Sequence, residues 1–316
     1  MMTDRKNPKR CKSSESRYSL MEFRREFADD DACLQWLWRA RYSADGVNAE
    51  CPKCDEMRPF ERYETKQRRQ SWTCTACGFH LHPTAGTIFH KSSTSLHLWF
   101  YAMYLMTSTR CGISAKQLER ELGVTYKTAW RIFKQTRTLF ADDGSPLSGF
   151  VEIDESYFGG KESNKHLAKR ARHYKMLKEP VLGMVQRAEG ERCGKVVASV
   201  LPFPWKGYIL PPIKEKVLER TAVYTDEAPV YDNLPGMGYR HKRVHHSQKV
   251  YVSGDAHVNT LEGFWSLAKR GINGVYHSVS KQHLQSYLNE YAWRYNHRDD
   301  ARGHFRRLLL RAARPS

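Results

Sequence analysis

Three acidic residues stand in surroundings that give each a definite aim. Asp154 lies in Val151-Glu152-Ile153-Asp154-Glu155-Ser156-Tyr157-Phe158-Gly159-Gly160-Lys161, an alternating stretch that turns Val151 and Ile153 to one face and Asp154 to the other. Asp226 ends the short apolar run Ala222-Val223-Tyr224-Thr225. Glu262 falls in a helical segment, 258–270, where Asn259, Glu262, Ser266 and Lys269 form one polar stripe and Leu261, Phe264 and Ala268 turn to the core. Carboxylates from two strand ends and a helix can hold two Mg²⁺ or Mn²⁺ ions about 3.5–4 Å apart, the arrangement that serves in-line displacement at phosphorus. Hard cations take oxygen ligands, so Asp and Glu suit this work and cysteine does not. Lys269 follows Glu262 by two helical turns on the same face, where it could contact a terminal phosphate of DNA. The chain has 34 acidic residues, so spacing alone says little; the strand, strand and helix setting with the following lysine carries the reading.

A second group offers a different chemistry. Of eight cysteines, Cys11, Cys33, Cys111 and Cys193 stand alone, whereas Cys51-Pro-Lys-Cys54 and Cys74-Thr-Ala-Cys77 form two matched pairs. Two residues between thiols let both sulfurs converge on one metal from a tight turn, and two such turns complete tetrahedral zinc with no position left for a substrate. One structural Zn²⁺ is expected, because a ribbon this small has too little core to fold without it. His80, His82 and His90 could replace a ligand, but the cysteines suffice. Lys53, Arg58, Arg62, Arg68 and Arg69 around the site suit a DNA-facing surface.

The elements that must position these groups change character along the chain. Residues 1–17 are polar and basic and read as a flexible arm; Leu20, Phe23, Phe27, Leu34 and Trp38 predict two short helices interrupted by Asp29-Asp30-Asp31. The paired cysteines occupy 46–92, with little helical pattern, and 96–140 reads as helical throughout. Within it, Ala115, Leu118 and Leu122 bury one helix face, Gly123 permits a turn, and Thr125 caps a second helix that presents Tyr126, Lys127, Arg131 and Lys134. That is the pattern of a helix-turn-helix aimed at a DNA groove, or of an ordinary helical hairpin with a basic face. Asp142-Asp143-Gly144-Ser145-Pro146 reads as a linker. Beyond it come candidate strands 149–158, 181–186, 195–201, 222–225 and 239–245, with helices at 208–220, 258–270 and 280–296, the last behind a Ser280 cap. Strands mixed with helices in this order predict an α/β sheet covered by helices. The five regions are thus 1–45, arm and short helices; 46–92, zinc ribbon; 93–141, helix-turn-helix; 147–300, catalytic domain; and 301–316, a basic tail.

Composition agrees with a nucleic-acid partner. Lys and Arg number 52 against 34 Asp and Glu, a net charge of +18, and such an excess favours a polyanion whose counterions it releases. Apolar residues at 40% are enough for real cores, which excludes wholesale disorder. No apolar run is long enough to span a bilayer and Met1-Met2-Thr3-Asp4-Arg5-Lys6 leads into no signal sequence, so a soluble protein of the cytoplasm, nucleoid-associated when on DNA, is expected and no membrane partner. Lys161, Lys165, Lys169, Arg170, Arg172 and Lys175 read either as a solvated loop or as a clamp on the DNA backbone. Trp205, between Pro202, Pro204 and the following helix, reads as core or loop packing in preference to a platform for an unpaired base.

Taken together, these residues resemble the DDE transposases of insertion sequences, in particular the ISXO-type group related to the eukaryotic Merlin elements. The matching features are the zinc ribbon, Thr84-Ala85-Gly86-Thr87-Ile88-Phe89-His90 with Trp99, the Asp154 segment, Tyr224-Thr225-Asp226, and His257-Val258-Asn259-Thr260-Leu261-Glu262-Gly263-Phe264-Trp265 with Lys269-Arg270; Arg294-Tyr295-Asn296 with Arg298 closes the pattern. The resemblance spans roughly residues 20–300. It implies a ribonuclease-H-like catalytic domain that cuts and joins double-stranded DNA at the terminal inverted repeats of its element and in target DNA, and a homodimer or higher oligomer that brings two ends together. The resemblance places the first two acids at Asp154 and Asp226. For the third, Glu262 is favoured over Asn259, one helical turn before it, because a carboxylate holds Mg²⁺ more strongly than an amide; His257 is a second choice, and Glu152, Glu155 and Asp255 are left aside. The rival readings are a non-catalytic DNA-binding protein derived from a transposase, and a nuclease of the same fold that hydrolyses without joining.

Overall fold

A computed structural model describes residues 18–64, 70–159, 178–188, 194–244, 259–299 and 303–315. The chain divides into two compact units: residues 1–139 with 300–316, and residues 140–299. Among the described residues no helix is long and apolar enough to cross a membrane. The expected arm, 1–17, lies outside the described residues.

The first unit begins with helices α1 (Leu20–Glu26) and α2 (Asp30–Arg41). Ser19 and Glu22 close a capping box around the first turn of α1, and the Asp29 side chain accepts the Ala32 amide at the start of α2. The acidic cluster that interrupts the sequence pattern is therefore the start of a helix, where negative charge meets the positive end of the dipole. Strands β1 (Asn48–Cys51), β2 (Glu56–Glu64), β3 (Gln70–Cys74) and β4 (His80–Leu81) form an antiparallel sheet in chain order. It packs on α2, with Trp38 stacked on Trp72 at 4.8 Å and Phe60, Ala49 and Leu81 around them. Three helices follow: α3 (Leu96–Ser108), α4 (Ala115–Leu122) and α5 (Tyr126–Thr138). The region expected to be helical throughout is thus broken twice, once after Ser108, where Gly112 takes φ +93°, and again at Gly123.

Residues 301–316, expected as a basic tail, contain helix α9 (Gly303–Ala312). Its Phe305, Leu308, Leu309 and Ala312 are buried, and Phe305 lies against Phe23, Phe27 and Tyr104. The Arg311 guanidinium donates to the Leu139 carbonyl at 2.7 Å. The basic side chains hid an apolar stripe at helical spacing, which returns the chain end to the first unit.

The second unit is built on strands β5 (Phe150–Phe158), β6 (Glu179–Gln186), β7 (Lys195–Val200), β8 (Ala222–Thr225) and β9 (Arg240–Arg243). Their spatial order is β7-β6-β5-β8-β9. Strands β5, β6 and β7 form an antiparallel meander, whereas β8 runs parallel to β5 and β9 parallel to β8. Helix α6 (Lys206–Lys216) covers one face through Ile209 and Ile213; α7 (Asn259–Gly271) and α8 (Lys281–Asn296) cover the other through Leu261, Phe264, Trp265, Leu284, Leu288 and Tyr291. This mixed α/β architecture is consistent with the ribonuclease-H-like arrangement expected. Helix α6 ends earlier than the predicted 220, because Val217 turns extended and bridges to Leu147. Trp205 is 62% exposed and stacks on Phe203 at 4.8 Å, so it packs within its own loop and not in the core.

Candidate active site

The parallel pairing of β5 with β8 sets Glu152 beside Tyr224, so Asp154 and Asp226 lie two residues further along, just past the end of that pairing in the middle of the sheet. Asp226 sits just past β8, where its Oδ1 accepts the Ala228 amide at 3.0 Å and fixes the turn. Asp154 faces α7: its Oδ2 accepts the indole N–H of Trp265 at 3.2 Å. Glu262 lies on the same helix one turn before Trp265 and on the exposed side, and Asn259, Ser266 and Lys269 share that exposure as the wheel predicts. Leu261, Phe264 and Ala268 are fully buried on the opposite face.

Electrostatics tie the three carboxylates together. Burial raises the Asp154 carboxyl to about 6; the charges of Asp226 and Glu262 push the same way, and the Trp265 and Glu155 N–H groups oppose. Lys269 Nζ lies 5.8 Å from the ring centre of Phe158, four residues past Asp154 on β5. Asn259 opens α7 on the exposed stripe. His257 and Asp255 lie outside the described residues, as does the basic run from Lys161 to Lys175.

A further carboxylate lies close by. Glu155 points to the opposite sheet face, where burial and the charges of Asp226 and Asp154 raise it to about 7 against the opposing phenol of Tyr231. Tyr231 is fully buried, and its hydroxyl has no partner of regular hydrogen-bond geometry. The sequence reading missed Trp265 as a contact of Asp154. Its signal was Gly183, which pairs with Asp154 across β5 and β6. A Cβ at that glycine would meet the Trp265 ring at 2.3 Å and Leu261 Cδ1 at 2.9 Å. The missing side chain lets the indole lie against the sheet and reach the carboxylate. Gly183→Ala is therefore expected to lower stability by about 1–3 kcal/mol through overpacking, read by denaturant unfolding, and to slow any chemistry that needs Asp154 oriented.

The cysteines form the other site. Among the described residues they are the only set of three or more His, Cys, Asp or Glu whose ligand atoms all lie within 4.8 Å of one another. The carboxylates of Asp154, Asp226 and Glu262 do not all approach that closely. Cys51 and Cys74 end β1 and β3, and Cys54 and Cys77 lie in the turns that follow, with Gly78 at φ +72°. The Cys51 and Cys77 sulfurs are 3.5 Å apart. Burial would raise the Cys51 thiol, but the amides of Cys54 and Lys53 and the neighbouring thiols bring it down to about 7. Such a cluster could hold a structural metal such as zinc. The histidines are engaged elsewhere or stand apart: His80 Nδ1 bonds the Ser71 and Thr73 hydroxyls at 3.1 and 2.9 Å, and His90 Nδ1 accepts the Gly86 amide at 3.0 Å.

The pair α4 and α5 carries its exposed residues as expected. Gly123 takes φ +62°, Thr125 accepts the Thr128 amide, and Tyr126, Lys127, Arg131 and Lys134 are exposed. Arg131 is also bonded to the Thr94 hydroxyl at 2.8 Å, which tethers one of these basic groups to the preceding loop.

Comparison with known proteins brings these features into one frame. Residues 146–296 match the profile of the ISXO2-like transposase domain. The chain is 32% identical over 255 residues to an uncharacterized protein in transposable element ISH50 of Halobacterium salinarum, covering 77% of this chain and 84% of that one. It is 34% identical over 102 residues to an uncharacterized transposase-like protein of Haemophilus influenzae, covering 32% of this chain and 81% of the other.

Proposed function

The chain belongs to the ISXO2-like family of insertion-sequence transposases, and we propose that it cuts and joins DNA with Asp154, Asp226 and Glu262 holding two Mg²⁺ or Mn²⁺ ions. The observation that carries this reading is the parallel register of β5 on β8, which brings Asp154 and Asp226 together beside the helix that bears Glu262; burial first, and then the charges of Asp226 and Glu262, raise Asp154 to about 6. The donor set fits such ions: it consists of hard oxygens, and the mutual repulsion is what a divalent cation relieves. When bound, the ions supply Lewis-acid activation of the attacking oxygen and neutralise charge at the departing 3′ oxygen. The protein's own part is to hold the carboxylates in place, with Trp265 orienting Asp154 and the Ala228 amide orienting Asp226. Lys269, two turns beyond Glu262 on the exposed stripe, steadies a DNA phosphate.

The remaining parts serve recognition. Strands β1–β4 form a zinc ribbon around one structural Zn²⁺, and α4 and α5 form a helix-turn-helix whose Tyr126, Lys127 and Lys134 meet a DNA groove at the terminal inverted repeats. The net charge of +18 supports both contacts. Synapsis of two element ends calls for a homodimer or higher oligomer acting on DNA in the nucleoid.

The third ligand is tested by Glu262→Ala and Asn259→Ala. With a duplex carrying the DNA that flanks the gene, Glu262→Ala loses at least ~10²-fold in strand cleavage while binding the duplex normally, and Asn259→Ala keeps most activity. The reverse result makes Asn259 the ligand. Cutting without joining by the unmodified protein makes it a hydrolytic nuclease.

A further inference from the structure

One buried carboxylate near the site faces away from solvent altogether. Glu152 lies two residues before Asp154 on β5 and is 0% exposed. Its Oε1 accepts the Thr260 hydroxyl at 2.8 Å and its Oε2 accepts the Leu261 amide at 3.0 Å, both in the first turn of α7. Oε1 also takes the Arg187 Nε at 2.7 Å, and that guanidinium lies 4.4 Å over the ring of Tyr224 on β8.

The first amides of a helix have no partner within it, and a carboxylate there also meets the positive end of the helix dipole. Such a cap ordinarily comes from the residue just before the helix. An acceptor for the Leu261 amide comes from the strand that carries Asp154, more than a hundred residues earlier. Helix α7 is consequently pinned to β5 twice, by Glu152 at Thr260 and Leu261 and by the Trp265 bond to Asp154. Glu262 lies between the pins. A buried ion pair gives little net stability over well-packed apolar side chains, so stability alone is a poor account of a charged pair here. What the pair does provide is direction.

We propose that Glu152 is a positioning residue that sets the axial placement of α7 against β5, and so keeps Glu262 in reach of Asp154 and Asp226. The proposal rests on the reading of those three carboxylates as the metal-holding group. Glu152 touches neither metal nor DNA in this scheme; it acts through the helix.

The test uses the full chain, Mn²⁺ titrated calorimetrically without DNA, and cleavage of a duplex carrying the DNA that flanks the gene. Glu152→Gln removes the charge at constant volume, Thr260→Val removes one donor and no charge, and Thr260→Ser restores the hydroxyl. The expected result is a kcat lowered ~10–100-fold in Glu152→Gln and weaker Mn²⁺ binding in both it and Thr260→Val. KM for DNA should stay within about twofold in both, with Thr260→Ser close to the unmodified protein. Should Glu152→Gln fail to fold, the Thr260 pair decides alone. Folded variants with unchanged kcat and Mn²⁺ affinity overturn the positioning role. Asp154→Asn, run in parallel, separates the two ideas: if it too cuts normally, the reading of the metal site has failed; if it is inactive while the Glu152 and Thr260 variants are normal, only the positioning role has failed.

Discussion

Asp154→Asn is expected to remove strand cleavage, by at least ~10³-fold, and at the same time to stabilise the metal-free protein above pH 6. The first effect follows from losing an anionic ligand where charge must be neutralised at phosphorus. The second follows from the raised carboxyl, which stands at about 6 in the folded chain because it is buried and faces Asp226 and Glu262. An acid whose folded value lies above its unfolded one binds its proton more tightly when folded. Its ionisation therefore costs nothing below the unfolded value of 3.8, costs progressively more up to about 6, and costs its full amount beyond. A shift of this size corresponds to at most about 3 kcal/mol. Unfolding in EDTA should thus show Asp154→Asn more stable than the unmodified chain at pH 8 and no different near pH 4. Retained cleavage would sink the catalytic assignment, and a pH-independent stability difference would sink the electrostatic one.

The second large effect concerns the cysteines. Cys51→Ser, or removal of zinc by a strong chelator, is expected to unfold the β1–β4 sheet and to weaken binding to element ends by at least ~100-fold, while leaving the second unit folded. Structural zinc in small domains contributes on the order of 10–16 kcal/mol of apparent binding free energy, which in such a domain is folding free energy. The apolar cluster here, Trp38, Phe60, Trp72 and Leu81 with Leu34, is small by comparison. The stacking of Trp38 on Trp72 gives a direct readout, since loss of the sheet separates the rings and removes their near-ultraviolet circular dichroism. Specific DNA binding that survives complete chelation, with one metal per chain shown to have left, would rule out the structural role.

Much of the site was legible in the chain because its signals are local. Strand Ala222–Thr225 was read with its observed bounds, since an apolar run ending in Asp leaves little choice. The polar stripe of Asn259, Glu262, Ser266 and Lys269 follows from helical periodicity alone, and all four are exposed. The two C-x2-C pairs describe their own turns, and the clustering of four sulfurs follows once those turns meet. Gly123 after α4 and Ser280 before α8 stand where helices were expected to end and begin, but the Ser280 side chain, expected to cap α8, makes no cap hydrogen bond.

What only the tertiary structure decided is the set of contacts between residues far apart in order. Nothing local in Glu152 says whether it faces water or lies buried, and its partners Arg187, Thr260 and Leu261 come from other elements. The Trp265 bond to Asp154 depends on a glycine of the neighbouring strand, and the apolar stripe of α9 was masked by its arginines until Phe305 found Phe23 and Phe27. Periodicity tells a side chain which face of its own element it occupies. Which strand or helix supplies the matching face is settled by packing the whole unit, and with it the pairing of β5 and β8 that brings Asp154 and Asp226 together.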